Sequence, residues 1–236
     1  MSNKKVYYFG IDCPGDSLVR QTVNEDYVYS KCPVYQHRQN RIFVAYSPID
    51  FEVKVERTPG SGDNYITCED PDLLEFDDEY LHGPKPVLQL KTATFLFWTE
   101  DDDVWFEFYD HPMTALKNNF IAVGGLFNLS NWTRTSSLAF TIVDETKPVV
   151  IKKGDPLCRI CFHSPNLGDG IVLKEEKSSK IIKEVTSKYE KKQKAGWDSQ
   201  EWKGKLFSKT DKESKCPVSF LFKKKKSNLG LVRGFQ

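Results

Sequence analysis

Residues 151–162 read IKKGDPLCRICF. Two lysines, a glycine and an aspartate interrupt an apolar run that restarts at once, and the reading of that interruption decides the fold. Glycine takes the positive φ that a chain reversal often needs, whereas one glycine supplies too few backbone amides to cradle a phosphate. The stretch is therefore expected to be a turn between two buried strands rather than a ligand-binding loop. After it, alternation places Cys158, Ile160 and Phe162 on one face and Leu157, Arg159 and Cys161 on the other.

The same period of two recurs upstream. DFEVKVER, residues 50–57, alternates Phe51, Val53 and Val55 with Glu52, Lys54 and Glu56, the pattern of a strand with one wet face. TPGSGDN closes it, and RIFVAYSP, residues 41–48, is expected to be its partner strand, ended by Pro48. Further strands are expected at 87–98, 103–110, 119–129, 137–144, 148–153 and 156–163. This spacing, with no helical pattern between the runs, predicts an all-β body: an antiparallel β-sandwich, jelly-roll or β-clip-like fold. Aromatic residues make up 13% of the chain, which suits sheets, where flat rings pack across strands.

The character changes near residue 171. In IVLKEEKSSKIIKEVTSKYEKKQKAG, Ile181, Val185 and Tyr189 recur every fourth position, with Glu176–Lys180 and Glu184–Lys188 as i,i+4 pairs. An exposed helix with a narrow apolar stripe is expected there, ending at Gly196, followed by a short strand at 218–222. The expected organisation is a body over residues 1–170 and a helical, basic extension over 171–236. Residues 1–150 carry 13 Lys and Arg against 23 Asp and Glu, a net −10, so a formal charge of +1 leaves +11 for the rest. A tail of that sign is expected to lie on the acidic body of its own or a neighbouring subunit, or else to visit a polyanion.

No apolar run approaches the ~20 residues of a membrane span, and MSNKKVYYFGIDCPGD has no sustained apolar segment of the secretory kind. A cytoplasmic setting without a membrane partner is expected. Cys13, Cys32 and Cys216 all precede Pro, and SKCPV occurs at both 30–34 and 214–218, but the surroundings do not match as repeat units. Cys158 and Cys161 form the one Cys-x-x-Cys, and strand alternation sends them to opposite faces, so free thiols are expected, with no metal and no other cofactor. His37, His82, His111 and His163 are scattered, without His-x-Asp or His-x-His. No Gly-x-Ser-x-Gly elbow is present. The acidic runs at 77–79 and 100–103 read as solvated turns. With no catalytic set legible, the chain reads as a non-enzyme.

Two constellations remain as candidate contacts. In SNWTR, Trp132 and Arg134 follow a double glycine and could stack on a base or sugar, with Asn128 beside them. At the C-terminus Lys223, Lys224, Lys225, Lys226 and Arg233 could neutralise nucleic-acid phosphates.

The segment GGLFNLSNWTRTSSLAFTIVDETKPVVIKKGDPLCRICF, residues 124–162, resembles in layout the C-terminal half of β-clip proteins such as dUTPase and dCTP deaminase. That resemblance implies nucleotide binding or hydrolysis, yet Asn128 stands where those families carry an Asp, and an amide is no general base. A second resemblance covers roughly residues 30–163: CPVYQHRQNRIFVAYSPIDFEV, GLFNLSNWTR and VVIKKGDPLCRICF are similar to uncharacterised proteins of tailed phages, especially T4-like phages of marine bacteria, and of some bacteria. It implies a viral protein in the host cytoplasm or on the virion, with no activity attached. The leading expectation is an oligomeric β-sandwich acting in assembly or interaction, its partner another copy or another phage protein. A nucleotide-handling β-clip protein and a nucleic-acid binder with a basic tail are the alternatives.

Overall fold

A computed structural model describes residues 3–11, 13, 17–21, 28, 30–57, 64–70, 72, 74–76, 87–91, 94–166 and 168–194. The candidate lysines 223–226, Arg233, the strand expected at 218–222 and the helix end expected at Gly196 lie outside these residues.

The described chain is mostly strand, in four open sheets that do not close into a barrel. In chain order the elements are β1 (Asn3–Gly10), β2 (Leu18–Arg20), α1 (Pro33–Gln39), β3 (Ile42–Tyr46), β4 (Phe51–Arg57), β5 (Asn64–Cys68) and β6 (Leu74–Phe76). Then come β7 (Leu88–Leu90), β8 (Phe95–Trp98), β9 (Trp105–Tyr109), a π-helical turn (Thr114–Asn118), β10 (Phe120–Ala122) and β11 (Gly125–Asn128). β12 (Arg134–Ser136), β13 (Ala139–Ile142), β14 (Val149–Ile151), β15 (Pro156–His163), β16 (Gly170–Glu175) and α2 (Ser179–Lys194) complete the order. The sheets run β12-β8-β1-β16, β10-β13-β7-β6, β11-β9-β15-β3-β2 and β14-β4-β5. Every pairing is antiparallel except β1 with β16.

The core is aromatic. Phe97 of β8 meets Phe106 of β9 and Phe162 of β15 at ring-centroid distances of 5.3 and 5.8 Å, and Phe43 of β3 meets Phe162 at 5.7 Å. These rings join the first sheet to the five-stranded one, and Phe120 and Phe140, 5.3 Å apart, extend the cluster into the β10–β13 sheet. Such pairs add a geometric preference to the burial of large apolar surfaces.

The stretch at 151–162 is a turn, as its sequence reads. Gly154 has φ +86°, and Asp155 N–H donates to Lys152 O at 2.8 Å. Its two strands belong to different sheets, so the turn is a crossover and not a hairpin. It is locked to the crossover at Ser47–Asp50. Gly154 N–H donates to Ser47 O, Ser47 N–H donates to Asp155 O, and Lys153 N–H donates to the Asp50 carboxylate at 2.7 Å. Asp155, 8% exposed, also accepts from Lys117 Nζ at 2.6 Å, Asn118 Nδ2 at 3.0 Å and Lys152 N–H at 3.0 Å. Burial pushes its pKa up, but these donors outweigh burial and hold it below the ordinary carboxylate range.

Several boundaries differ from the sequence reading. β3 and β4 are not partners: Ser47 and Pro48 turn the chain from one sheet into another, so β3 pairs with β2 and β15 while β4 pairs with β5 and β14. The run at 87–98 divides into β7 and β8, and that at 119–129 into β10 and β11, each crossing between sheets. At the second crossing a Cβ on Gly124 would lie 2.9 Å from Phe108 O, so only glycine permits the approach. A bulge between Pro156 and Cys158 turns Leu157 and Cys158 both into the core, where strict alternation would separate them. Residues 33–39 form a helix with Pro33 in its first turn, a good position for proline. Residues 170–175 form a strand beside β1, so the helical part of the extension starts at Ser179.

Candidate functional site

Asn128 and Trp132, read from the sequence as ligand contacts, are both built into the body. Asn128 is fully buried opposite Trp105, and its Oδ1 accepts from Ser130 N–H at 2.9 Å. Trp132 is 7% exposed and packs edge-on against Phe127 with ring centroids 5.5 Å apart. Arg134 begins β12, with its backbone opposite Phe97. The acidic run at 100–103 serves the backbone: Asp101 Oδ2 accepts from Lys5 N–H at 2.6 Å, and Asp103 takes φ 52° in the turn.

Two further features stand out. The first is the end of the sandwich where β11 and β12 are edge strands of facing sheets. Between them opens a groove of 270 Å³, floored by Phe106, Phe108 and Phe127 and rimmed by Val123, Thr135 and Ser136. Val123 is 40% exposed, and Leu126, in the middle of β11, is 49% exposed on the opposite face of that strand. α2 reaches this end, where Tyr189 Oη and Thr135 Oγ1 share a hydrogen bond of 2.9 Å. Val185 and Tyr189 of α2 are half-buried as the stripe predicts, but its third member is Ile182 and not Ile181, which is exposed.

The second feature is the outer face of the five-stranded sheet. Register sets Cys161 directly opposite Glu107, and His163, two residues along β15, shares its face. His163 Nε2 lies 2.7 Å from Glu107 Oε2, and the ligand atoms of Glu107, Cys161 and His163 all lie within 4.8 Å of one another. Burial pushes the Cys161 thiol up to about 11, with Glu107 adding to the shift and the guanidiniums of Arg38 and Arg41 opposing it. Tyr109, next along β9 on the same face, is pushed up to about 12, chiefly by burial. Tyr109 Oη and Arg159 Nε are buried without a hydrogen-bond partner among the described residues. Sequence reasoning missed this group. Cys161-x-His163 is a visible signal, since i and i+2 share a strand face, but the third member depends on the β9–β15 register.

No family model and no curated protein matches this chain. Among solved structures it is similar to native EIAV dUTPase, with 9% sequence identity and a TM-score of 0.36 over 68% of this chain and 89% of that one. That is a weak similarity to the β-clip fold of dUTPase, and it carries no argument about activity. No helix among the described residues is long and apolar enough to cross a membrane.

Proposed function

We propose that the protein is a non-enzymatic β-sandwich interaction module that self-associates edge to edge through β11, with α2 and the basic C-terminal segment as further contact elements. The observation that carries this reading is the composition of that edge. Sheet edges are usually guarded by lysine, proline or a bulge, because their free N–H and C=O groups pair readily with another strand. β11 reads GLFN, with none of these guards, and exposes Leu126 on one side beside the apolar groove on the other. An isologous contact of β11 with its copy would extend the five-stranded sheet across two protomers. The resemblance of residues 30–163 to tailed-phage proteins supports placing that assembly in an infected host cell or on the virion.

Sedimentation of the full-length chain tests the reading. The wild-type protein is expected to sediment as a dimer or larger species, and Leu126→Lys, which installs an edge guard, to shift it to monomer. A monomeric wild type, or a Leu126→Lys variant with unchanged mass, overturns it.

A further inference from the structure

The outer-face group combines three ligand types on a rigid scaffold. β9 and β15 are central strands of the five-stranded sheet, so the backbones under Glu107 and Cys161 are fixed by pairing on both sides, and that under His163 by pairing with Trp105 on one. Cys161 is 3% exposed, whereas the Glu107 and His163 side chains are 40% and 42% exposed. The sulfur therefore forms the floor of the group, and the carboxylate and imidazole form its open rim.

The bland alternative is a surface His–carboxylate pair that happens to lie over a buried thiol. Such a pair accounts for the 2.7 Å contact but not for the placement of a thiol within 4.8 Å of both groups. One step along the same face, Tyr109 Oη and Arg159 Nε are buried with no hydrogen-bond partner among the described residues.

We propose that Glu107, Cys161 and His163 form a three-residue site for a divalent transition metal of the zinc class, with a fourth position open to solvent. A thiolate, an imidazole and a carboxylate are the donors that borderline-soft ions take. The hard ions magnesium and calcium require oxygen shells that this group lacks. Metal–sulfur bonds near 2.3 Å and metal–N/O bonds near 2.0–2.1 Å put tetrahedral ligand atoms roughly 3.3–3.6 Å apart. A separation of 4.8 Å would need to close by roughly 1.2–1.5 Å and the 2.7 Å His163–Glu107 contact to open by roughly 0.6 Å, within reach of two rim side chains that are partly free to move. As the metal–sulfur bond forms, the Cys161 thiol releases its proton to solvent, and the resulting thiolate and the Glu107 carboxylate balance the charge of a divalent ion. Three protein ligands with an open fourth position is the arrangement of metal sites that bind water or a further ligand.

The full-length chain, reduced and freed of metal by chelation, is titrated with cobalt(II) as a spectroscopic substitute for zinc. A thiolate-to-cobalt charge-transfer band is expected to saturate at an equimolar amount and to vanish on adding zinc. Cys161→Ser is expected to abolish the band, and Cys68→Ser, at a half-buried cysteine outside the group, to keep it. Cys161 is buried and its replacement could disturb folding, so His163→Gln and Glu107→Gln at the exposed rim supply an independent arm. Each is expected to weaken binding by more than the ~10–100-fold that loss of an outer-shell partner costs. The proposal is overturned by absence of the band in the wild-type protein, by its persistence in Cys161→Ser, or by rim variants that bind cobalt as the wild type does.

Discussion

The inner and outer faces of the β9–β15 pair have opposite characters although they share one backbone. Inward, Phe106, Phe108, Ile160 and Phe162 lie in the core. Outward, the same strands present Trp105, Glu107, Tyr109, Arg159, Cys161 and His163. The inner residues are interchangeable in kind, because burial and ring packing need only volume and shape. Those outside are not: carboxylate, thiol and imidazole have distinct chemistry, and only register brings them together. An alternating strand can thus secure the fold on one side and hold a reactive group on the other, with one residue separating the two roles.

Neighbouring substitutions should break this contrast cleanly. Phe162→Ala removes a ring in contact with Phe43, Phe97 and Phe106, and is expected to cost about 3–5 kcal/mol in denaturant unfolding. Asp155→Asn, in the crossover that delivers β15, loses a carboxylate held by three donors, Lys117, Asn118 and the Lys152 backbone N–H, and is expected to cost about 2 kcal/mol. The sign of its pH dependence follows from the lowered pKa. The contribution of Asp155 is complete above the unfolded carboxylate range near pH ~4 and is lost as pH falls through the folded value, so the gap between wild type and Asp155→Asn should narrow on acidification. His163→Gln, one residue from Phe162 but on the outer, half-exposed side, is expected to change stability by less than about 0.5 kcal/mol while still weakening metal binding.

What the sequence discloses follows the same division. The alternation in DFEVKVER and SLAFTIVD and the turn at Lys152–Asp155 are local, and they suffice for a mostly antiparallel β fold. Sheet membership is less local. β7 and β8 look like one strand in the sequence yet belong to different sheets, and Gly124 marks the second crossing through its need to approach Phe108 O. β16 was hidden because Lys174, Glu175 and Glu176 have the composition of the helix that follows. The same long-range limit applied to function. Asn128 and Trp132 drew notice by their neighbours in sequence, and both turn out to be buried in internal contacts. Glu107 drew none, since its proximity to Cys161 exists only through pairing of strands 54 positions apart in the chain.

X-ray absorption at the zinc edge of the zinc-loaded, full-length chain tests the division between the faces most directly. The account predicts one sulfur at ~2.3 Å with nitrogen and oxygen neighbours at ~2.0–2.1 Å. A shell of nitrogen and oxygen alone would contradict it, leaving the outer face with an ordinary histidine–carboxylate contact above a buried thiol.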